Sequence, residues 1–340
     1  MINGKLAVCI VGSGRAGLIH ANNYAKSVPN AMIAAVVDPV EEVAQNAAKS
    51  LGIDTYYLSH EQALENEKID AYVIVSPTKF HKDIVCSIAA RKKHIFCEKP
   101  MAMTVEECRT MIKAAQENKV KLQIGFMRRF DSSFMRSKQM IEDGMIGDII
   151  MVRSNTRGPS VPKPWMYDIK KSNGPLAEVN SHDIDTMRWF TSSEFKTVYA
   201  IGGNYRCKEI KDEYPDFYDN VIMAATFENG MQGMLDGAQG VGYAYDAKVE
   251  ILGTKGCINL GDLKGQRVVA CSADSRMASY PMVTSWTELF KEAYLNEDIS
   301  FVDAVLNDKP TKVTGYDGLK AVEVVNAGNA SIIEKQIVEL

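Results

Sequence analysis

Short apolar runs alternate with longer amphipathic stretches through the first part of the chain. The runs are apolar over nearly their whole length, which is typical of parallel strands buried on both faces. They lie at 6–11, 31–37, 71–75, 95–97 and 121–126, with a further short run near 56. The stretches between them have apolar residues at helical spacing. Strands that alternate with helices predict an α/β fold with a doubly wound parallel sheet.

The pattern changes after residue 126. Alternating or β-rich segments predict strands at 148–157, 197–204, 220–227, 231–238 and 246–252. A hairpin turn is predicted at Glu228-Asn229-Gly230. Helical patterns lie at 132–142, 175–190, 284–296, 299–306 and 319–335, and 158–173 is predicted to be a loop. This part of the chain is expected to be an α+β domain with a large, mostly antiparallel open sheet.

Composition excludes several classes of protein. The chain has 340 residues, 39 basic against 43 acidic, and a net charge of −4, which argues against a nucleic-acid partner. No apolar run approaches the roughly 18 residues of a membrane helix, and the first run is too short for a signal peptide. The seven cysteines are scattered without a C-x-x-C spacing. We therefore expect a cytoplasmic protein with reduced thiols, no zinc site and no membrane association.

A glycine-rich turn follows the first predicted strand and opens the first helix. It reads Gly12-Ser13-Gly14-Arg15-Ala16-Gly17. The second strand ends at Asp38, 21 residues after Gly17. Glycines let the backbone approach a pyrophosphate, the helix N-terminus offers free N–H groups, and the acid can bind a ribose. The order strand, glycines, helix, strand and acid predicts a dinucleotide site, the alternative being a glycine turn that binds nothing.

Asp38 also bears on the choice of dinucleotide. A carboxylate at this position repels the 2′-phosphate of NADP, and Pro39 follows it instead of an arginine that could compensate. The predicted cofactor is therefore NAD. The alternative is that Asp38 only ends the strand or caps a helix that Pro39 opens.

A second turn of interest is Glu98-Lys99-Pro100. It lies between the predicted strand at 95–97 and a helix that a Thr104–Glu107 capping box opens. Ligands bind at the carboxyl ends of the strands in open α/β sheets, so Lys99 is placed to touch both a cofactor and a substrate. The alternative is a solvated lysine in an ordinary turn.

A third turn, Ser76-Pro77-Thr78, follows another strand at the same predicted edge. It is expected to lie against the dinucleotide, with Pro77 as an apolar wall. His81 stands in the first turn of the following helix. A histidine there is more often a cap or surface group than a ligand, and we include it as a weaker candidate.

The helix predicted over 175–190 carries the remaining chemistry. Glu178, His182 and Asp185 stand at i, i+4 and i+7 and are expected to share one face. A carboxylate one turn before a histidine can orient its imidazole. The alternative is a surface Glu–His pair. A metal site is not predicted, because no second histidine follows at ligand spacing.

These motifs, in this order and over essentially the whole chain, resemble the Gfo/Idh/MocA oxidoreductases, with Glu98-Lys99-Pro100 the most specific part. The resemblance implies a Rossmann domain (1–126) and an α+β domain (127–340) for substrate and oligomer contacts, with the final helix free to pack back on the first. It implies NAD(P)-dependent chemistry on sugars, inositols and related polyols. It puts Lys99 and His182 on the catalytic lysine and histidine, and implies a cis Lys99–Pro100 bond. Inositol dehydrogenases usually have an aspartate where this chain has Glu178.

The working hypothesis is oxidation of a secondary hydroxyl on a cyclic polyol or sugar by a homo-oligomer, either dimer or tetramer. His182 would be the base, Lys99 would stabilise the alkoxide and Glu178 would orient one of them, with Lys99 as the base left open. Four further residues are expected to contact substrate: Arg157, Trp165, Asp185 and Tyr245. The alternatives are an NADP(H)-linked aldose or anhydro-ketose reductase, and a non-catalytic regulator that binds dinucleotide and sugar.

Overall fold

The computed structural model describes residues 1–2, 4–264, 269–272 and 277–340. The chain divides into two compact units. The first contains Met1–Phe130 and Glu292–Val322, and the second contains Asp131–Lys291 and Glu323–Leu340. The first division therefore lies four residues beyond the predicted boundary at 126, and the first unit includes a segment from late in the chain.

The first unit is built on a parallel sheet. Within the described residues it has six strands: β1 (Leu6–Val11), β2 (Ala31–Val37), β3 (Tyr56–Tyr57), β4 (Ala71–Ile74), β5 (His94–Glu98) and β6 (Leu122–Gly125). Their order is β3-β2-β1-β4-β5-β6, and each neighbouring pair is parallel. This is the strand order of a Rossmann fold, in which ligands bind at the carboxyl edge where the order reverses. The predicted doubly wound sheet is confirmed.

The second unit is built on a mixed sheet. Its strands are β7 (Ile149–Gly158), β8 (Phe195–Gly203), β9 (Asn220–Phe227), β10 (Gln232–Gln239), β11 (Asp246–Gly253) and β12 (Cys257–Leu260), and a small hairpin of β13 (Ala270–Ser272) and β14 (Met277–Ser279) follows. The order is β12-β11-β7-β10-β9-β8-β15, where β15 is Val338–Glu339. Among the described strands of this second sheet, only β7 and β10 pair in parallel. The predicted open and mostly antiparallel sheet is confirmed.

The helices complete the two units. In chain order they are α1 (Arg15–Lys26), α2 (Glu41–Leu51), α3 (His60–Leu64), α4 (His81–Ala90), α5 (Val105–Glu117), α6 (Ser132–Glu142), α7 (Pro164–Tyr167), α8 (Ile169–Ser172), α9 (Gly174–Glu178), α10 (Ser181–Thr191), α11 (Trp286–Leu289), α12 (Lys291–Leu306) and α13 (Gly315–Glu334). None within the described residues is long and apolar enough to cross a membrane. The capping box at Thr104 and Glu107 is present at the start of α5.

Two predicted helix boundaries are wrong. The segment 158–173, predicted to be a loop, contains α7 and α8. The predicted interruption between 296 and 299 is absent, because α12 continues through Glu297 and Asp298. Both acids are completely buried, and Asp298 bonds to His20. A pair of adjacent acids therefore marks a buried polar cluster here and not the end of a helix.

Candidate active site

The glycine turn has the geometry that a dinucleotide requires. Gly12 has φ +103°, and a Cβ there would lie 2.8 Å from the carbonyl oxygen of Val75. A Cβ on Gly17 would collide with the Gly12 carbonyl, so close packing of α1 on this turn needs a glycine. Nothing lies within 4 Å of the position of a Cβ on Gly14, the N-cap residue of α1. The turn therefore leaves open space beside the free N–H groups of a helix N-terminus, which fits a pyrophosphate.

Asp38 lies beside this turn at the end of β2. Its Oδ2 accepts a hydrogen bond from the backbone N–H of Ser13 at 3.0 Å, and its Oδ1 accepts one from Val40 N–H at 3.1 Å. The half-buried carboxylate thus links the glycine turn to the start of the next segment. The structure brings together the glycines and the acid that the sequence pattern associates.

His81 connects two turns at the same edge. Its buried ring places Nε2 2.7 Å from the carbonyl oxygen of Ser76 and Nδ1 3.0 Å from that of Pro100. Burial lowers the pKa of His81, and the neighbouring carbonyls oppose that shift. The ring therefore fixes the Ser76-Pro77-Thr78 turn to the turn that follows β5. Thr78 itself begins a short 3₁₀ segment, Thr78–Phe80, ahead of α4.

The Glu98-Lys99-Pro100 turn begins at Glu98, which is the last residue of β5. The Lys99–Pro100 peptide bond is cis, as predicted. The side chain of Glu98 is buried, and its Oε2 accepts the backbone N–H of Lys99 at 2.9 Å. Its Oε1 lies 3.1 Å from Nε2 of His20. Glu98 therefore holds the main chain of Lys99, which is half-buried.

Sequence reasoning missed the buried partners of Glu98. His20, Glu297 and Asp298 surround it within the first unit, and all three are completely buried. One signal could have found His20, since it follows Gly17 by three residues on the face of α1 that also carries Ala21 and Tyr24. No local signal marks Glu297 and Asp298, which reach the cluster from almost 280 residues further along the chain.

The segment around His182 differs from the prediction. The expected continuous helix is broken between α9, which ends at Glu178, and α10, which begins at Ser181. The N–H groups of Val179 and Asn180 both bond to the Pro175 carbonyl, at 2.8 and 3.2 Å. Glu178, His182 and Asp185 therefore do not share the face of one continuous helix, and that prediction is wrong.

Asn180 is the physical reason for the break. Its Nδ2 donates to Asp183 Oδ2 at 2.8 Å and to the Asp236 carbonyl at 3.2 Å. Gly237 makes this possible, because a Cβ there would collide with the Asn180 amide. The side chain of Asn180 is thereby bonded to β10 and to the first turn of α10. The long-range bond to β10, together with the local bond to Asp183, overrides the helical pattern of the sequence.

His182 lies in the first turn of α10 and is 6% exposed. The next residue, Asp183, accepts a hydrogen bond from Ser154 of β7 at 2.5 Å in addition to that from Asn180. The anchored carboxylate fixes this turn of the helix against the sheet. The structure thus holds His182 in a buried, fixed segment, whereas the surface Glu–His pair of the alternative interpretation would be exposed.

The four predicted substrate contacts have different surroundings. Arg157 makes a bidentate ion pair with Asp236, at 2.7 and 3.0 Å, and this pairing raises the pKa of the arginine. Arg157 and the Ser154 that anchors α10 lie on opposite faces of β7, because side chains alternate along a strand. The structure therefore does not bring Arg157 together with His182.

The other three predicted substrate contacts, Asp185, Trp165 and Tyr245, differ in exposure and in their neighbours. Asp185 is buried, with its carboxylate 3.8 Å from Arg188. Trp165 is 49% exposed on α7. Tyr245 is buried and packs edge-on against Phe290, with ring centroids 6.5 Å apart.

Comparison with known proteins defines the family. Residues 6–126 match the model of an oxidoreductase family with an NAD-binding Rossmann fold, and residues 134–259 match the GFO/IDH/MocA C-terminal domain. The chain is 32% identical to the scyllo-inositol 2-dehydrogenase (NAD⁺) of Bacillus subtilis, over 99% of this chain and 96% of the relative. The chain belongs to the GFO/IDH/MocA family. The resemblance inferred from the motifs is confirmed.

Two further relatives match nearly the whole chain. The myo-inositol 2-dehydrogenase of Thermotoga maritima is 30% identical over 98% of both chains. The structure of scyllo-inositol dehydrogenase from Lactobacillus casei with bound NAD(H) and scyllo-inositol is 28% identical, with a TM-score of 0.90 over 98% of this chain and 99% of that one. This chain is an oxidoreductase with an NAD-binding Rossmann domain.

Proposed function

We propose that this GFO/IDH/MocA oxidoreductase oxidises a secondary hydroxyl of an inositol or a closely related cyclic polyol. The observation that carries the proposal is the turn at Lys99, whose main chain is held by Glu98 at the carboxyl edge of the sheet. An amine in that place suits chemistry at a hydroxyl group beside a dinucleotide. The names of the relatives, which are inositol dehydrogenases, support the substrate class.

NAD is the cofactor that the residues of the first unit fit. The N–H groups of the glycine turn, Gly12-Ser13-Gly14-Arg15-Ala16-Gly17, would hold the pyrophosphate, and Asp38 would bind the adenosine ribose. Ser76, Pro77, Thr78 and Glu98 would border the dinucleotide, with His81 holding their turns in place. When bound, NAD supplies the hydride acceptor.

The protein must supply the proton acceptor. We assign this role to His182, since the ordinary pKa of histidine near 6.5 suits a base at neutral pH. Lys99 donates a hydrogen bond to the same oxygen and stabilises its alkoxide character. Glu178 orients one of these two groups. The assignment of His182 and Lys99 rests on their chemistry and on the family resemblance, and an exchange of their roles is the alternative.

Substrate contacts are proposed for Trp165, Asp185 and Tyr245. Trp165 is the exposed aromatic among them and offers an apolar surface to a sugar or inositol ring. Arg157 is omitted from the proposed site for two reasons. Its guanidinium is already bound to Asp236 of β10, and its side chain lies on the face of β7 opposite to Ser154, which anchors α10.

A homo-oligomer, either dimer or tetramer, is proposed from the open sheet of the second unit. The face opposite α10 exposes large apolar side chains on the adjacent strands β8, β9 and β10, and a further one on β11: Tyr199, Ile201, Ile222, Met234 and Leu252. Contiguous exposed apolar residues on a sheet favour association. A cytoplasmic location is proposed from the free cysteines. An Ile222→Glu variant should dissociate the oligomer, as measured by light scattering after size-exclusion chromatography.

The substrate proposal is tested with a panel of myo- and scyllo-inositol, aldoses, uronates and glycosides, each with NAD⁺ and NADP⁺. Aldoses and an anhydro-ketose are also assayed in the reducing direction with NADPH. We expect the highest kcat/KM for an inositol with NAD⁺. Reduction of an aldose or anhydro-ketose with NADPH at a higher kcat/KM would instead favour the reductase. Tight NADH binding without turnover of any compound would favour the non-catalytic regulator.

A further inference from the structure

Four titratable side chains form a buried cluster within the first unit, next to the turn that carries Lys99. They are His20, Glu98, Glu297 and Asp298, and their exposures are 0%, 6%, 0% and 0%. They come from α1, β5 and α12. The proposed mechanism places only Glu98 beside the dinucleotide and gives the other three no role. Burying this many titratable groups is costly unless they are bonded to one another.

His20 lies at the centre of the cluster. Its Nδ1 is 2.8 Å from Asp298 Oδ1 and its Nε2 is 3.1 Å from Glu98 Oε1. Burial lowers the pKa of His20, but Asp298 and Glu98 together raise it well above its ordinary value. Only an imidazolium can donate from both nitrogens to two carboxylates. The ring is therefore a charged link between α12 and β5.

Glu98 connects His20 to the main chain of Lys99. While Oε1 faces His20, Oε2 accepts the Lys99 N–H at 2.9 Å. Gly125 on the neighbouring strand leaves room for the carboxylate, since a Cβ there would lie 2.9 Å from both Cδ and Oε1 of Glu98. The hydrogen bond to His20 therefore fixes the carboxylate of Glu98, and the lack of a side chain at Gly125 leaves the space that this carboxylate occupies.

Glu297 completes the cluster in a different way. Neither of its carboxylate oxygens has a hydrogen-bond partner among the described residues. Burial, reinforced by Glu98, raises the pKa of Glu297 well above its ordinary value, so we treat it as a neutral acid. His20, Glu98 and Glu297 could offer metal ligands within 4.8 Å of one another. Both nitrogens of His20 are already bonded to carboxylates, however, and a metal ion would have to displace one of them.

We propose that His20 is a positioning residue for Lys99. Its imidazolium fixes the carboxylate of Glu98, and that carboxylate fixes the main-chain N–H from which the lysine side chain extends. With Glu297 neutral, the groups that His20 bonds are the carboxyl groups of Glu98 and Asp298. This inference rests on the catalytic role proposed for Lys99, and it adds a residue that reaches the reaction only through Glu98.

Two amide substitutions separate the two bonds of His20. In His20→Gln the amide nitrogen lies near the position of Nε2 and can still donate to Glu98. In His20→Asn it lies near Nδ1 and can donate only to Asp298. Both variants lose the ring that packs on Phe96 and Tyr294, so the loss of packing is shared.

We expect kcat for the inositol substrate to fall about 10–100-fold in His20→Asn, as for a misplaced catalytic group. His20→Gln should stay within about threefold of the parent, and KM for NAD⁺ should change little in either variant. Equal losses of kcat in the two variants, or no loss in either, would show that His20 does not act through Glu98.

A second readout does not depend on turnover. Trypsin does not cleave the Lys99–Pro100 bond, so the peptide 94–109 carries Lys99 as its single lysine. The rate of acetylation of Lys99, followed in this peptide by mass spectrometry, should change at least about threefold in His20→Asn and not in His20→Gln. If no polyol is oxidised, this rate still decides the positioning role. An unchanged rate in both variants overturns the role even if inositol is the substrate.

The Gly125→Ala variant tests the position of the Glu98 carboxylate from the side of β6. Its added methyl group should displace Glu98 and lower kcat in the same direction as His20→Asn. Gly256→Ala is the matched control, because a Cβ there would meet its nearest neighbour at an ordinary 3.7 Å. Wild-type kcat in Gly125→Ala with Glu98 displaced in its crystal structure would contradict the inference.

Discussion

The glycine turn of the first unit and the His182 segment of the second are fixed by different kinds of contact. Gly12 and Gly17 shape the turn through steric limits on the backbone, and Asp38 bonds to it from the adjacent strand. The His182 segment is instead held by the side chains of Asn180 and Asp183, whose partners lie on distant strands. Backbone rules that act over short stretches can be recognised in a sequence, whereas bonds between distant side chains cannot.

The largest expected effect tests whether Lys99 and His182 serve one proton transfer. Lys99→Ala and His182→Ala should each lower kcat/KM by about 10²–10⁴-fold, since base catalysis and electrostatic stabilisation are each typically of this size. If both groups act on one oxygen, the double variant should lose clearly less than the sum of the two free energies. Steady-state kinetics of the three variants with NAD⁺ and the best inositol measure this.

The affinity for NADH provides the control. It should change little in His182→Ala, because that residue is assigned to the substrate, and it should fall more in Lys99→Ala. Fully additive losses of kcat/KM would show that the two residues perform separate tasks.

The second prediction concerns a substitution that weakens the long-range contact between Asn180 and β10, which holds the His182 segment. In Gly237→Ala the added methyl group meets the Asn180 amide, so the break between α9 and α10 cannot keep its present form. We expect a loss of about 1–3 kcal/mol in the free energy of unfolding, as for overpacking of a core, together with a lower kcat. Thermal denaturation and kinetics measure both, with Gly256→Ala as the control. Unchanged kcat in a destabilised Gly237→Ala would separate the break from the chemistry.

The matching change at the glycine turn concerns Asp38. Asp38→Asn keeps an oxygen that can accept the N–H of Ser13 but removes the charge that repels a 2′-phosphate. The parent should prefer NAD⁺, and the ratio of kcat/KM for NAD⁺ over NADP⁺ should fall about tenfold or more in the variant, since hydrogen bonds to charged groups are worth about 1.5–3 kcal/mol. A parent enzyme with equal kcat/KM for both cofactors would remove the ribose role of Asp38.

The same contrast explains what the sequence could reveal. The parallel sheet, the glycine turn, Asp38 and the turn at Lys99 follow from local patterns, and the structure contains them all. The break before His182 was missed because the pattern over 175–190 is helical and the competing bonds of Asn180 come from β10 and α10. Glu297 and Asp298 were misjudged for a related reason, since adjacent acids normally face water and their partner His20 lies in the first helix.

The smallest expected effect concerns Glu297 and the pH dependence of stability. Burial raises the pKa of Glu297 in the folded protein above its ordinary value of about 4.3. Between these two pKa values the native protein binds more protons than the unfolded chain. Stability must therefore decline as pH rises through this window. Glu297→Gln removes the titration, so the two proteins should be similarly stable below pH 4 and the variant more stable by about 1 kcal/mol or more at pH 8.

Urea denaturation of both proteins from pH 4 to 8 measures this difference. His20, whose pKa is also raised, adds its own decline above about pH 6.5 to both proteins, so that its contribution cancels. Glu98, Asp298 and Tyr24, the other titratable groups near Glu297, are likewise common to both. Glu250→Gln is the matched control, because Glu250 is a partly exposed acid paired with Arg153, and a surface ion pair of this kind contributes little to stability. A difference for Glu297→Gln that is constant across this range would mean that Glu297 is not held neutral, and the charge balance proposed for the His20 cluster would then be wrong.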